Sequence, residues 1–334
     1  MTFGSARRIV VIRTDRLGET LLAIPAVSAL QAALPQASVT LLVHPGLRGL
    51  LTRLAGLDGV LAVPAPGAPW WASGWQVGRL LRGGRFDAAV VSNPKKELHL
   101  GVWLAGIPRR VGYARKWDIL LTDRVPDRKA LGERHEVEYN LELVRTLVGH
   151  PVAAPAPGWR WGRFEAEQTA VRRQLAQQGV QPSDPLVAVH PWSSNPAKLW
   201  PAPKFQRLIR EAVEALGVSV ALIGGPDERP QAATFPSGGR IANLVGALSL
   251  LELAALLQMA RTVVSNDSGP AHLAAAMGTP AIVLFGTQDP AAGPRRWGPW
   301  GSGHTVIWKS SMEAISVDEV VAALARTLDA RAAA

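Results

Sequence analysis

A small polar cluster, Asn266-Asp267-Ser268-Gly269, separates two apolar runs in the stretch VVSNDSGPAHLAAAMGTPAIVLFG over residues 263–286. Ser268 is placed to cap a helix, and Pro270 suits the first helical position, where no backbone donor is needed. Gly269 lets the backbone come close to a ligand. Free amides and the helix dipole then converge on one point, which is an anion site. Asp267 is unexpected there, because a carboxylate competes with a phosphate. It can instead orient loop amides or accept a sugar hydroxyl. His272 falls in the first helical turn and reads most simply as a locally hydrogen-bonded side chain. Without a ligand, the same stretch is an ordinary capped turn.

Three other loops carry similar chemistry. PWSSNPAKLWP over 191–201 holds Ser193, Ser194 and Lys198. Hydroxyls and a mobile ammonium stabilise a diphosphate leaving group without a metal. GGPDERP over 224–230 offers Asp227 or Glu228 to ribose hydroxyls after a glycine turn. RTDRLGET over 13–20 puts Glu19 in the first turn of a helix, where a carboxylate can act as general base on an acceptor hydroxyl. The helix terminus favours the ionised form and so weakens it as a base. A solvated polar loop is the plainer reading of each. The sequence has no G-x-x-x-x-G-K-[ST] loop, no G-x-G-x-x-G after the first apolar run, no HExxH, no G-x-S-x-G and no metal-spaced His/Cys cluster.

These loops need strands to present them. Ile9–Ile12, Val39–Val43, Ala88–Ser92, Leu186–His190, Val218–Ile223, Thr262–Ser265 and Ala281–Phe285 are short apolar runs of the kind buried in parallel sheets. Helical periodicity follows over 18–34 with a kink at Pro25, over 97–105, over 135–149 with a stop at Gly149, over 204–216 and over 316–330. Ser249 and Glu252 form a capping box before another helix. The segment PAPGAPWWASGW reads as irregular, and PVAAPAPGWRWG over 151–162 as a linker. The alternation predicts two open α/β domains, with ligands beyond the carboxyl ends of the strands.

A length of 334 residues fits two domains of about 150 residues each. The formal charge of +10 favours anionic partners, although solvated arginines of a basic proteome explain it equally well. No cysteine is present, which suits a reducing cytoplasm and leaves no thiolate metal site. No signal peptide is read at the start, and no run of about 20 apolar residues spans a membrane, so membrane contact is expected to be peripheral.

Together the stretches IVVIRTDRLGETLLAIPAVSAL, LAGIPRRVGY, HEVEYNLELV, VAVHPWSSNPAKLWPAPKFQRLI, LIGGPDE and SNDSGPAHLAAAMGTPAIVLFG resemble glycosyltransferase family 9, the heptosyltransferases of lipopolysaccharide core assembly. They lie in order over roughly residues 9 to 290. The resemblance implies a GT-B fold, an α/β architecture of two Rossmann-like domains facing a central cleft. The expected division is an acceptor domain over 1–160, a donor domain over 161–315 and a terminal helix over 316–334 that can pack back on the first domain.

The resemblance further implies inverting, metal-independent transfer from ADP-heptose to a lipid-linked acceptor, with no cofactor. It assigns Lys198 to the donor phosphates, Ser193 and Ser194 to the phosphate loop, and Asp267, Ser268, Gly269, Pro270 and His272 to the donor stretch. Asp227 or Glu228 matches the acidic ribose contact. Family members usually carry Gly-Asp where this chain has Gly18-Glu19, and that aspartate is the proposed base. Glu19 keeps the carboxylate and adds about 1.5 Å of reach; Asp15 is a second candidate for the base.

Asp15, Lys95, Lys96 and Arg110 are the expected acceptor contacts. With Arg109 and the tryptophans Trp70, Trp71 and Trp75, these basic residues could meet a phosphorylated glycolipid or an anionic membrane surface. A cytoplasmic enzyme, peripheral on the inner membrane and without a nucleic-acid partner, follows. Two other readings stay open: a GT-B transferase using a different nucleotide sugar, and a non-catalytic nucleotide- or nucleic-acid-binding protein.

Overall fold

The apolar runs become strands buried on both faces, because helices cover each sheet from either side. The structure is a computed structural model that describes residues 7–64, 67–153, 159–181 and 183–332. Part of the expected linker, residues 154–158, and the first six residues lie outside the described residues. The chain divides into two compact units, Met1–Arg160 and Trp161–Ala334.

In the first unit the order is β1 (Arg8–Arg13), α1 (Leu17–Leu21), α2 (Ile24–Ala33), β2 (Ser38–Val43), α3 (Arg48–Leu51), β3 (Gly59–Ala62), α4 (Trp70–Arg82), β4 (Ala88–Val91), α5 (Lys96–Leu104), β5 (Arg109–Ala114), β6 (Asp123–Pro126) and α6 (Glu136–Val148). Its sheet runs β3-β2-β1-β4-β5-β6, parallel throughout. Pro25 does not kink one long helix as the sequence reading expected. It stands in the first turn of α2, a position that needs no donor, and the break falls before it. Asn140 of α6 donates from Nδ2 to the Leu22 carbonyl at that break (3.2 Å).

The segment read as irregular opens α4. Gly74 and Gly78 lower helix propensity, which hid the helix, yet they let α4 pack closely on α5. A Cβ added at Gly101 on α5 would lie 2.5 Å from Val77 Cγ1.

The second unit carries α7 (Glu165–Gln177), β7 (Leu186–His190), α8 (Ala202–Leu216), β8 (Ser219–Leu222), α9 (Arg229–Ala232), β9 (Ile241–Asn243), α10 (Leu250–Met259), β10 (Thr262–Asn266), α11 (Gly269–Ala276), β11 (Ala281–Gly286), α12 (Pro294–Trp297), β12 (Thr305–Lys309) and α13 (Val317–Ala332). Its parallel sheet runs β12-β11-β10-β7-β8-β9. Read from its own first strand, that is the same order as in the first unit. Each unit is therefore a Rossmann-like doubly wound sheet, and the pair of them is the GT-B type of architecture.

The terminal helix, allowed above to return to the first domain, packs within the second unit. Its core residues Val320 and Leu324 join the same cluster as Phe205 and Leu208 of α8. Trp200 Nε1 donates to the Ile315 carbonyl just before α13 (3.0 Å).

Both sheets reverse their strand order at one place, between β1 and β4 and between β7 and β10. Ligands of such sheets bind at the carboxyl ends beside that reversal. The residues to inspect are therefore those after β1 and β4, and those after β7 and β10.

Candidate active site

In the second unit, β7 ends in His190 and β10 in Asn266, paired as neighbouring strands. The loop after β7 carries Lys198 on a single turn of tight helix, Pro196–Lys198, held by Asn195 Oδ1 accepting from Ala197 N (3.1 Å). The loop after β10 carries Asp267. Lys198 Nζ donates to Asp267 Oδ2 at 2.5 Å, and His272 Nε2 stands 3.8 Å from Asp267 Oδ1. Asp267 is thus the counter-ion of the lysine, which explains a carboxylate at an anion site. Its side chain is 6 % exposed and that of Lys198 29 %, so the pair borders solvent on the lysine side.

Asn266 stitches the two loops together. Its Oδ1 accepts from Trp200 N (3.1 Å) and its Nδ2 donates to the Pro191 carbonyl (2.9 Å), all in the buried interior. Asn266→Ala leaves both backbone groups without a partner, at about 1–3 kcal/mol each. The expected loss of stability in urea unfolding is about 2–6 kcal/mol, with weaker binding of anions because the Lys198 loop is no longer tied to β10.

Ser268 occupies the N-cap position of α11, but its hydroxyl does not cap the helix as the sequence reading expected. It lies 3.0 Å from His190 Nδ1 and 2.9 Å from Ser265 Oγ, and Ser265 donates to the Asn266 carbonyl (2.8 Å). One proton assignment serves the chain: His190 Nδ1–H to Ser268, Ser268 to Ser265, Ser265 to the carbonyl. The competing partner is what diverts Ser268. The Ser268 side chain consequently gives no cap to the Gly269 amide at the start of α11, where the helix dipole adds; Pro270 has no amide, and Ala271 N donates to the Ser268 carbonyl (3.2 Å).

His190 escaped the sequence reading, although its place as the last residue of a buried strand was the available signal. Burial pushes its imidazole down to about 4. The folded value lies below the ordinary 6.5, so the unfolded chain binds the proton more readily. This group therefore costs no stability above about pH 6.5, and stability is lost as pH falls from there towards 4. The loss is roughly 3 kcal/mol when complete. His190→Gln does not titrate, so melting curves from pH 7 to 4 are expected to show a shallower acid decline than wild type.

Beside this network lies a cavity of about 230 Å³, lined among others by His190, Gly224, Gly225, Ser249, Leu253 and Pro270. Gly224 is required there, since an added Cβ would fall 2.4 Å from the Trp192 indole nitrogen. Asp227 and Glu228 sit on the turn just past Gly225 and are absent from the lining. Ser193 accepts from Asn195 N (3.3 Å) and so shapes the lysine loop; Ser194 is exposed at its tip.

In the first unit a cavity of about 380 Å³ is lined by Thr14, Asp15, Arg16, Glu19, His44 and Lys95, among others. Glu19 stands in the first turn of α1, half-buried, and its carboxylate has no hydrogen-bond or ion-pair partner among the described residues. Asp15, which also faces the cavity, has three partners: Arg13 Nε at 3.1 Å, Asn93 Nδ2 at 3.0 Å and Lys95 Nζ at 3.5 Å. Arg13 also meets the fully buried Glu136 (3.1 Å), which takes Lys129 at 2.7 Å. This chain of charges, unread in the sequence, anchors β1 to α6 and makes Asp15 a structural link.

Two expected acceptor contacts fall elsewhere. Arg110 pairs with Ala89 in register, at the amino end of the sheet and opposite the cavity. Its guanidinium donates to the carbonyls of Ile107 (2.5 Å) and Leu120 (2.7 Å), a folding role. Lys96 lies over the Trp70 ring at 4.8 Å and does not line the cavity; Lys95 does. Among the described residues no group of three or more His, Cys, Asp or Glu side chains could hold a metal ion.

Residues 75–323 match the sequence profile of glycosyltransferase family 9 (heptosyltransferase). The chain belongs to glycosyltransferase family 9. This family 9 enzyme is 26 % identical over 297 residues to lipopolysaccharide heptosyltransferase 2 of Escherichia coli K12, covering 85 % of this chain and 84 % of that protein. To lipopolysaccharide heptosyltransferase 3 of E. coli it is 27 % identical over 315 residues, covering 87 % and 86 %.

Among solved structures, the family 9 glycosyltransferase of Veillonella parvula superposes with a TM-score of 0.85 at 20 % identity, covering 99 % of each chain. E. coli ADP-heptose lipopolysaccharide heptosyltransferase II does so with 0.81 at 23 %, covering 97 % of this chain and 99 % of that one. These likenesses establish the GT-B fold. The family 9 chain is a glycosyltransferase of the heptosyltransferase family.

Proposed function

We propose that this enzyme transfers a heptose, or a closely related sugar, from an ADP-sugar to a phosphorylated lipopolysaccharide-core-type acceptor, with inversion at the anomeric carbon. The observation that carries the donor side is the Lys198–Asp267 pair beside the N-terminus of α11, at the strand reversal of the second unit. Its positive groups suit a diphosphate, and the adjoining cavity with its glycine and leucine walls suits a nucleobase. A likeness in fold supports this: E. coli heptosyltransferase WaaC has been solved with ADP and with ADP-2-deoxy-2-fluoro heptose.

In this reading Glu19 takes the proton of the acceptor hydroxyl as its oxygen attacks the anomeric carbon. The bond from that carbon to the diphosphate breaks on the opposite face, and ADP leaves with the electron pair. Lys198 turns from Asp267 to the developing negative charge, and the α11 amides share it. Arg16 and Lys95 supply positive charge beside Glu19 for a phosphorylated acceptor. The sugar arrives already activated, so no cofactor takes part. The reading places the enzyme in the cytoplasm, working on a membrane-borne glycan.

Mass spectrometry of core acceptors incubated with ADP-heptose, UDP-glucose or GDP-mannose tests it. The expected product is one heptose added from the ADP donor alone. Transfer from UDP- or GDP-sugars only, or none from any donor, contradicts the reading.

A further inference from the structure

Nine large hydrophobic side chains stand more than a third exposed among the described residues, and five of them lie on α4, α5 and the loop before β6: Trp71, Trp75, Trp103, Trp117 and Ile119. Trp71 is 60 % exposed and Ile119 74 %. Helical spacing puts them on one outer layer. On α4 the buried Gly74, Val77, Gly78 and Leu81 form the packed side, and the exposed Trp71, Trp75, Arg79 and Arg82 form one stripe flanking it. On α5, Lys96 and Trp103 are seven residues apart and share the exposed side.

Three contacts tie the layer together. Trp70 meets Trp117 at 4.9 Å between ring centroids, Lys96 lies over Trp70 at 4.8 Å, and Arg79 lies over Trp75 at 5.7 Å. Trp117 holds φ = 73°, a left-handed conformation that a tryptophan adopts only where its surroundings impose it. Lys116, exposed in the same loop, adds charge, while Arg115 there is paired with Asp127 at 2.5 Å; the acids nearby, Glu97 and Asp118, are half-buried.

We propose that this tryptophan and basic face docks on an anionic phospholipid bilayer. Indole rings prefer the boundary between head groups and acyl chains, where the ring is buried and its N–H stays wet. Interspersed arginines and lysines match the charge of anionic head groups. Lys96 and Lys116 among the indoles favour head groups over a protein partner, because lysine is depleted at protein interfaces. A second copy is disfavoured because like charges would meet. Nothing in this inference depends on which sugar is transferred.

Flotation of the full chain with vesicles of phosphatidylethanolamine and phosphatidylglycerol, against vesicles of phosphatidylcholine, tests the proposal without any glycolipid acceptor. The expected result is binding to the anionic vesicles that weakens with salt, and a loss of about tenfold in partition for Trp71→Ser/Trp75→Ser. Arg79→Gln/Lys116→Gln is expected to bind less and with a shallower salt dependence, since Arg82 and Lys96 remain. Transfer to a soluble, deacylated acceptor stays at the wild-type rate in both. Quenching of wild-type tryptophan fluorescence by brominated acyl chains gives the same answer with no variant. Absence of binding to anionic vesicles, unchanged binding in both variants, or a salt-insensitive preference for phosphatidylcholine overturns the proposal. Sedimentation showing that the tryptophan pair holds two copies together without lipid overturns it as well.

Discussion

Lys198→Ala is expected to lower transfer by about 10²–10³-fold and to lower the melting temperature modestly while the chain stays folded. The loss has two sources. The ammonium that meets the departing diphosphate is gone, and Asp267, with a side chain only 6 % exposed, is left facing the donor without its counter-ion. The second source has a signature of its own. Lys198→Ala/Asp267→Asn is expected to bind the nucleotide diphosphate more tightly than Lys198→Ala, because one negative charge has been removed from the anion site. Titration of ADP into the two variants decides this. Equal affinity would mean that Asp267 does not oppose the phosphates.

Glu19→Gln has the other large effect. The amide keeps the shape and the hydrogen-bonding reach of the carboxylate but accepts no proton. Transfer is expected to fall by about 10²–10⁴-fold with donor affinity unchanged, since Glu19 belongs to the first unit and the donor groups to the second. Asp15→Asn serves as the contrast. Asp15 is bonded to Arg13, Asn93 and Lys95, so its loss is expected to lower the melting temperature along with activity. Wild-type stability with abolished turnover in Asp15→Asn would move the base to that residue.

The fold was legible where burial on both faces demands unbroken apolar strands, as in Ile9–Ile12 and Ala281–Phe285. The outer strands β5, β6 and β12 were not. β12 has one buried residue in five, and β5 and β6 begin with Arg109-Arg110 and Asp123-Arg124, so no apolar run announces them. The helix α4 was hidden by the glycines that make its contact with α5 possible. Within the site, Lys198, Asp267 and Glu19 were readable because each follows a strand that could itself be read.

Residues defined by long-range partners were beyond reach. Asn266 matters because it bonds to Trp200 and Pro191, 66 and 75 residues away in sequence. Ser268 fits every local rule for a cap, yet His190, 78 residues distant, takes its hydroxyl. Arg110 looked like a phosphate ligand by charge alone. Only the strand register reveals that it lies at the wrong end of the sheet.

The central claim is that the second unit is a diphosphate site selective for an adenine nucleotide. Calorimetric titration of the full chain with ADP, UDP and GDP at matched salt tests it most directly. The account predicts saturable binding of ADP at one site, weaker or no binding of UDP and GDP, and an ADP affinity at least about tenfold weaker in Lys198→Ala. Equal heats from all three nucleotides, or wild-type ADP affinity in Lys198→Ala, would contradict it.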